Sequence, residues 1–274
     1  ILSRDEHKHV AMQREYPDVE YTIGDVKDKD SILQALNEFK PHVVINTAAL
    51  KHVPVCESNP YESVKTNIIG HKNLIDCVSI CNHLIETLMC KAISERLYID
   101  FANKQKDIKV VLCRYGNVLE STGSVIPFFK QLLESGAKEL PITHKDMTRF
   151  LLTLDEAVEL IDWAYMHGES HGKIVIPNIK ALKVTDIAKS LGRSYGHKDI
   201  KLKYIGVRPG EKLHEAMISE TESFRSKWYE CTYNDGYYMI TDEIINDRCW
   251  SFTSDQSLME SEETDSFLKV SKVI

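Results

Sequence analysis

Apolar residues recur along this chain at two spacings, and the alternation predicts strands and helices in turn. Val110 to Cys113 are four consecutive apolar residues that end at Arg114-Tyr115-Gly116-Asn117. That pattern suits a strand buried on both faces of a parallel sheet, with polar residues at the carboxyl end, where open α/β sheets bind ligands. Val125, Ile126 and Pro127 open the apolar segment that follows, with Pro127 at a position a helix's first turn tolerates. Upstream, Ile1-Leu2 reads as a strand end, Ser3-Arg4-Asp5-Glu6 as the turn leaving it, and Glu6 to Tyr16 as a helix. Val19 to Ile23 alternates as a strand that ends in Gly24-Asp25-Val26. Ile32, Leu33, Leu36 and Phe39 fall at helical spacing behind a cap at Asp30 or Ser31, and Pro41 stops that helix. His42 to Thr47 is a β-branched strand, followed by Ala48-Ala49-Leu50-Lys51-His52. Pro60 opens a long helix to about Cys81.

Strand–helix–strand–helix order implies an α/β fold, a doubly wound parallel, Rossmann-like sheet with a smaller C-terminal substrate domain. The expected division is 1–118 plus about 149–178 for the dinucleotide-binding domain. Residues 119–148 plus 179–240 form the substrate-binding domain, and 241–274 a C-terminal extension. Trp228 and Trp250 are expected to anchor that extension, with a short strand over Tyr237 to Ile240 and an acidic helix over Glu260 to Leu268. The pattern leaves open whether the extension lies on the substrate domain or on a partner subunit. No G-x-G-x-x-G occurs in the chain. If Ile1-Leu2 closes the second strand, the first strand and its phosphate loop lie upstream of residue 1.

One stretch breaks the alternation. Leu84 and Ile85 should lead into another central strand, yet Glu86 to Lys91 is expected to pass directly into a helix carrying Met89, Ile93, Leu97 and Phe101. A strand and its loop are therefore expected to be missing between Leu88 and Met89.

Composition narrows the function classes. The chain has 274 residues, 43% of them hydrophobic, enough to bury a sizeable core. A net charge of −7 with no clustered Lys or Arg argues against nucleic-acid binding. No apolar run reaches the ~20 residues of a membrane span. Seven cysteines without paired spacing fit buried thiols in a reducing compartment, and hence a cytoplasmic protein. Cys77, Cys81 and His83 lie close together, but the cysteines fall at i and i+4 on an apolar helix and no second ligand pair follows. No metal site is expected.

Eight strings carry a resemblance. They are Ser3-Arg4-Asp5-Glu6, Gly24-Asp25-Val26, Ala48 through Pro54, Lys65-Thr66-Asn67, Arg114 through Val118, Gly123 through Phe129, Met147 through Phe150, and Arg208 through Glu215. In this order the chain resembles the polysaccharide-biosynthesis branch of the extended short-chain dehydrogenase/reductase superfamily, up to about Ser219. More closely it is similar to the inverting UDP-N-acetylglucosamine 4,6-dehydratases.

The resemblance implies NADP (NAD is possible), a UDP-sugar substrate, a homo-oligomer, and an internal redox cycle. Hydride leaves C4 of the sugar, water is lost across C5 and C6, and the hydride returns to C6. It places Ser3, Arg4, Asp25, Val26, Ala48, Ala49, Lys51, Asn67, Lys91 and Tyr115 at the cofactor. Asn117, Val125, Arg149, Arg208 and Glu211 fall at the substrate. Thr148 and Phe150 are expected to pack rather than react. A hydroxyl and a guanidinium at Ser3-Arg4 suit a 2′-phosphate, although a solvated turn explains them equally. Lys91 matches the lysine of the family's Tyr-x-x-x-Lys and is the one catalytic residue assigned. The position four before it is Thr87, and no Thr-Asp-Lys string occurs. Either the protein has an internal deletion, or the sequence skips residues at this point. The alternatives within reach are a nucleotide-sugar 4-epimerase and a non-catalytic relative that binds NADP or a UDP-sugar.

Overall fold

A computed structural model describes residues 1–81, 86–89, 92–231 and 235–274, which separate into two units, Ile1–Leu112 and Cys113–Ile274.

In the first unit, β1 (Leu2–Ser3) pairs in parallel with β2 (Thr22–Ile23), a shorter strand than the alternation from Val19 predicts. Helix α1 (Glu6–Glu15) starts at Asp5, whose carboxylate accepts from the Lys8 amide. Helix α2 (Lys29–Phe39) begins earlier than expected. Asp28, not Asp30 or Ser31, is its cap, accepting from the Asp30 amide at 3.0 Å. The Ser31 hydroxyl turns instead to the carbonyls of Asp25 and Asp28. Strand β3 (Val43–Asn46) leads through α3 (Val53–Ser58) to α4 (Pro60–Val64), a π-helical turn over Lys65–Ile69, and α5 (Gly70–Ile80). The long helix expected from Pro60 is thus present, with one wide turn in its middle. Ile32 and Leu36 of α2 are buried, as are Leu74, Cys77 and Val78 of α5.

The junction at Leu88–Met89 differs from expectation. Glu86–Met89 forms a strand, β4, parallel to β3 on one side and to β5 (Val110–Cys113) on the other. Helix α6 (Ala92–Lys104) begins only after it, so Met89 lies in a strand and not in the helix. Backbone pairing explains the outcome. Two neighbouring strands offer unpaired N–H and C=O groups, and a buried ladder left open costs more than any helical preference of four residues. The sheet therefore keeps a strand between β3 and β5.

In the second unit, β6 (Asn117–Val118) leads to α7 (Val125–Glu134) and β7 (Glu139–Ile142), then to β8 (Thr148–Leu152) and α8 (Leu154–Met166). Strands β9 (Ile174–Pro177) and β10 (Ala181–Lys183), α9 (Val184–Ser194) and β11 (Lys201–Tyr204) follow. The chain continues through β12 (Ala216–Ile218), α10 (Glu220–Ser223), β13 (Ser226–Tyr229), β14 (Tyr237–Ile240), β15 (Phe252–Thr253) and α11 (Thr264–Val270). Strand β8 lies between β10, antiparallel, and β6, parallel. One core gathers Ile126, Phe129 and Leu133 of α7 with Leu140, Ile142, Ile187 and Leu191.

The C-terminal extension lies on this unit of its own chain. β15 pairs with β12, Met259 donates to the Ala181 carbonyl, and Leu268 of α11 is fully buried in the core, worth about 2 kcal/mol as a transfer term. Trp228 and Trp250 both pack on Tyr238, as an anchoring role requires. The C-terminal helix starts at Thr264, four residues later than the acidic pattern predicts. Among the described residues, no helix is long and apolar enough to cross a membrane.

Candidate active site

In the first unit four of the strings meet. Arg4 stands 3.6 Å from Asp25, and Lys27 also stands 3.6 Å from the same carboxylate oxygen. Lys27 continues to Glu62 at 3.0 Å, and that hydrogen bond, followed by Asp25, raises its pKa. Arg4, at the carboxyl end of β1, keeps more than half of its side chain in solvent. Ser3 is occupied locally, bonded to His9 at 2.7 Å and to the Asp5 amide. Val26 is fixed through its carbonyl, which accepts from Asn73.

The loop after β3 is held from two directions. Buried Asn46 accepts from the Ala48 amide and contacts His71 and Tyr98. Asn67, in the π-helical turn, accepts from the Leu50 amide and donates to the Leu50 carbonyl. π-turns recur at functional positions because they push one residue out of helical register. Ala48 and Ala49 are half-buried and Lys51 exposed on the loop so formed. Lys91 lies outside the described residues. Tyr98 is the tyrosine of α6. It is fully buried, and burial pushes its phenol far above the usual tyrosine range.

In the second unit two strings line one cavity, and a third, Met147 through Phe150, adjoins it through the Phe150–Gly116 and Arg149–Glu215 contacts. Arg114, Tyr115, Gly116 and Asn117 line it together with Lys212, Glu215, Ala216 and Met217, around ≈ 290 Å³. Gly116 is required here. A Cβ on it would sit 2.6 Å from both the Cβ and the carbonyl oxygen of Phe150, closer than atoms approach. The RYGN turn can therefore lie directly on β8. Arg114 does not face a ligand freely. It donates to the Met217 carbonyl at 2.5 Å and forms a two-pronged pair with Glu222, at 3.0 and 3.2 Å.

Arg149, expected at the substrate, ties β8 to the 208–215 loop. Its guanidinium donates to the carbonyls of Thr148, Leu213 and Lys212, and lies 3.6 Å from Glu215 and 3.9 Å from Glu211. A planar fork with five donors suits this multiple attachment. Arg208 is exposed at the start of a tight turn, in which the Glu211 amide donates to its carbonyl and Gly210 has φ +74°. Val125 sits at the start of α7, packed against the core. Tyr115, expected at the cofactor, lines the same cavity as Asn117. Thr148 and Phe150 are both buried.

Glu215 is the residue that sequence reasoning missed, along with Lys212 and Lys27. All three belong to or adjoin strings already singled out. Burial raises the Glu215 carboxyl pKa, more than Arg149 and the Phe150 amide lower it.

Known proteins resemble this chain in sequence and fold. The family model described as polysaccharide biosynthesis protein matches residues 1–235. A Campylobacter jejuni protein named UDP-N-acetylglucosamine 4,6-dehydratase (inverting) is 40% identical, covering 89% of this chain and 75% of its own. A UDP-glucose 4-epimerase from Rickettsia akari is 36% identical, covering 88% and 73%. The X-ray structure of Pen from Bacillus thuringiensis superposes with a TM-score of 0.87 at 25% identity, over 100% of this chain and 89% of that one. The Campylobacter match runs over 264 residues yet takes in 89% of a 274-residue chain, fewer residues than the match is long. The relative therefore carries internal residues with no counterpart here. With the strings, the Rossmann-like first unit and these likenesses together, the chain belongs to the polysaccharide biosynthesis protein family of extended short-chain dehydrogenase/reductase-like proteins.

Proposed function

We propose that this protein is a nucleotide-sugar 4,6-dehydratase that takes UDP-N-acetylglucosamine and holds NADP. The observation that carries the reading is the convergence of the RYGN and RPGEKLHE strings on one cavity, with Asn117 and Lys212 exposed at it. A lysine and a carboxamide suit a diphosphate and its neighbouring ribose, and the 40% identical dehydratase supports the choice of sugar.

The donor set at the end of β1 fits the cofactor. Arg4 and Lys27 around Asp25 would hold a 2′-phosphate, which an NAD-binding acidic residue would repel. Asn67 would keep the Ala48–Lys51 loop shaped against the cofactor's central portion. The cofactor, when bound, supplies the acceptor and donor of the hydride. Arg4→Ala should then weaken NADP more than NAD in a fluorescence titration.

Continuity of β4 across Leu88–Met89 favours a second reading, a UDP-sugar-binding relative without turnover. The chain has no Thr-Asp-Lys and no tyrosine four residues before Lys91. Both readings expect saturable binding of UDP-N-acetylglucosamine, weakened by Lys212→Ala. They part on whether the sugar loses water.

A further inference from the structure

The tail beyond residue 235 reaches back to the cavity through one buried side chain. Ser254, which follows β15, has no exposed surface. Its amide donates to the Glu215 carbonyl at 2.9 Å, and its Oγ accepts from the Glu215 amide at 2.9 Å. The same Oγ lies 2.6 Å from Thr148 Oγ1, which in turn lies 2.8 Å from His214 Nδ1. Ser254 thus holds the Glu215 backbone at both its amide and its carbonyl, and its hydroxyl ties that amide to β8.

Glu215 itself lines the cavity, as Asn117 does. The Phe150 amide and the Arg149 guanidinium hold its carboxyl group from the protein side. A carboxylate offers about four acceptor sites, so capacity remains for a ligand. Lys212 at the same cavity suits phosphate, whereas a carboxylate repels phosphate and accepts from hydroxyl or amide N–H donors.

We propose that Glu215 contacts the hydroxyl and amide donors of the sugar half of a nucleotide sugar, and that Ser254 is its positioning residue. The inference deepens the reading of this cavity as a nucleotide-sugar site and rests on it. The division of labour follows from chemistry. The diphosphate belongs at Lys212 and Asn117, and the sugar belongs at Glu215.

The test compares two ligands. UDP and UDP-N-acetylglucosamine are titrated calorimetrically into the wild type and into Ser254→Ala, Glu215→Gln, Thr148→Val and Thr148→Ser. Ser254→Ala should lower UDP-N-acetylglucosamine affinity roughly five- to tenfold, the effect of one lost hydrogen bond, and leave UDP within about twofold. Glu215→Gln should lower it at least as much, again sparing UDP. Thr148→Val should follow Ser254→Ala, and Thr148→Ser, which keeps the hydroxyl, should restore binding. Equal losses for both ligands would reduce Ser254 to a purely structural residue and overturn the proposal. Unchanged affinities would overturn it as well. A wild type that binds neither ligand would instead bring down the nucleotide-sugar reading beneath it.

Discussion

Asn67 grips Leu50 at both ends of its carboxamide, accepting from the amide at 2.8 Å and donating to the carbonyl at 3.0 Å. The Asn67 carbonyl itself accepts from Ser94 at 2.7 Å, so a π-helical turn, a loop and α6 are tied through one residue. Asn67→Ala should remove both side-chain bonds at a cost of about 1–2 kcal/mol. The loop carrying Ala48, Ala49 and Lys51 should loosen, with faster amide exchange at Leu50 and weaker dinucleotide binding. Exchange at Leu50 unchanged from wild type would show that the loop holds its shape without Asn67.

The Arg114–Glu222 pair makes stability depend on pH. Burial pushes the Glu222 carboxyl up, but its bonds to Arg114 and the Ser219 amide outweigh that and bring the pKa below its ordinary value. A carboxylate held low in the folded state stabilises above its unfolded pKa of about 4.3, and that stabilisation fades as pH falls through the folded value. Arg114→Met should therefore cost stability at pH 7 and progressively less toward acid. In Arg114→Met/Glu222→Gln, which leaves no unpaired carboxylate, part of the loss should be recovered. Thermal melts across pH 3–8 read all three, and a deficit in Arg114→Met that does not vary with pH would contradict the assignment.

Gly116→Ala tests the close approach of the RYGN turn to β8. Its new methyl would lie 2.6 Å from Phe150, with backbone on the other side unable to yield cheaply. Overpacking of this kind costs about 1–3 kcal/mol. A melting temperature equal to wild type would mean that the turn has room to move.

The cysteines divide by reactivity. Burial, the largest influence, raises the Cys77 thiol to about 11, so almost none is thiolate at neutral pH. Cys249 is exposed. Iodoacetamide on the native protein at pH 7.5 should label Cys249 and spare Cys77, as peptide mapping would show. Labelling of Cys77 at a comparable rate would contradict its burial.

Much of this was legible from residue spacing. The Val110–Cys113 strand, the helical stretch from Pro60 and the Tyr237–Ile240 strand all follow from periodicity and punctuation, because the two strands and the Gly70–Ile80 part of that stretch bury apolar side chains. The strand at Glu86–Met89 was not legible, since its formation depends on neighbours far away in sequence and not on its own residues. Two of the strings line one cavity, while the letters alone do not say what each side chain touches. An arginine such as Arg149 has the same letter whether it meets a phosphate or three carbonyls of its own chain. Glu215 stood at the end of a quoted string, yet only the fold shows that it lines the cavity and that Ser254 reaches it. Nothing in the spacing of a serine 39 residues away announces that contact.

The mass of the sugar nucleotide after incubation tests the dehydratase reading most directly. Purified protein would be incubated with UDP-N-acetylglucosamine and NADP⁺, and the nucleotide sugar recovered and weighed by mass spectrometry. The account predicts a product lighter by one water, with a solvent-derived deuteron at C5 when the reaction is run in D₂O. UDP-N-acetylglucosamine that binds saturably but returns unchanged would contradict it, leaving a nucleotide-sugar-binding protein.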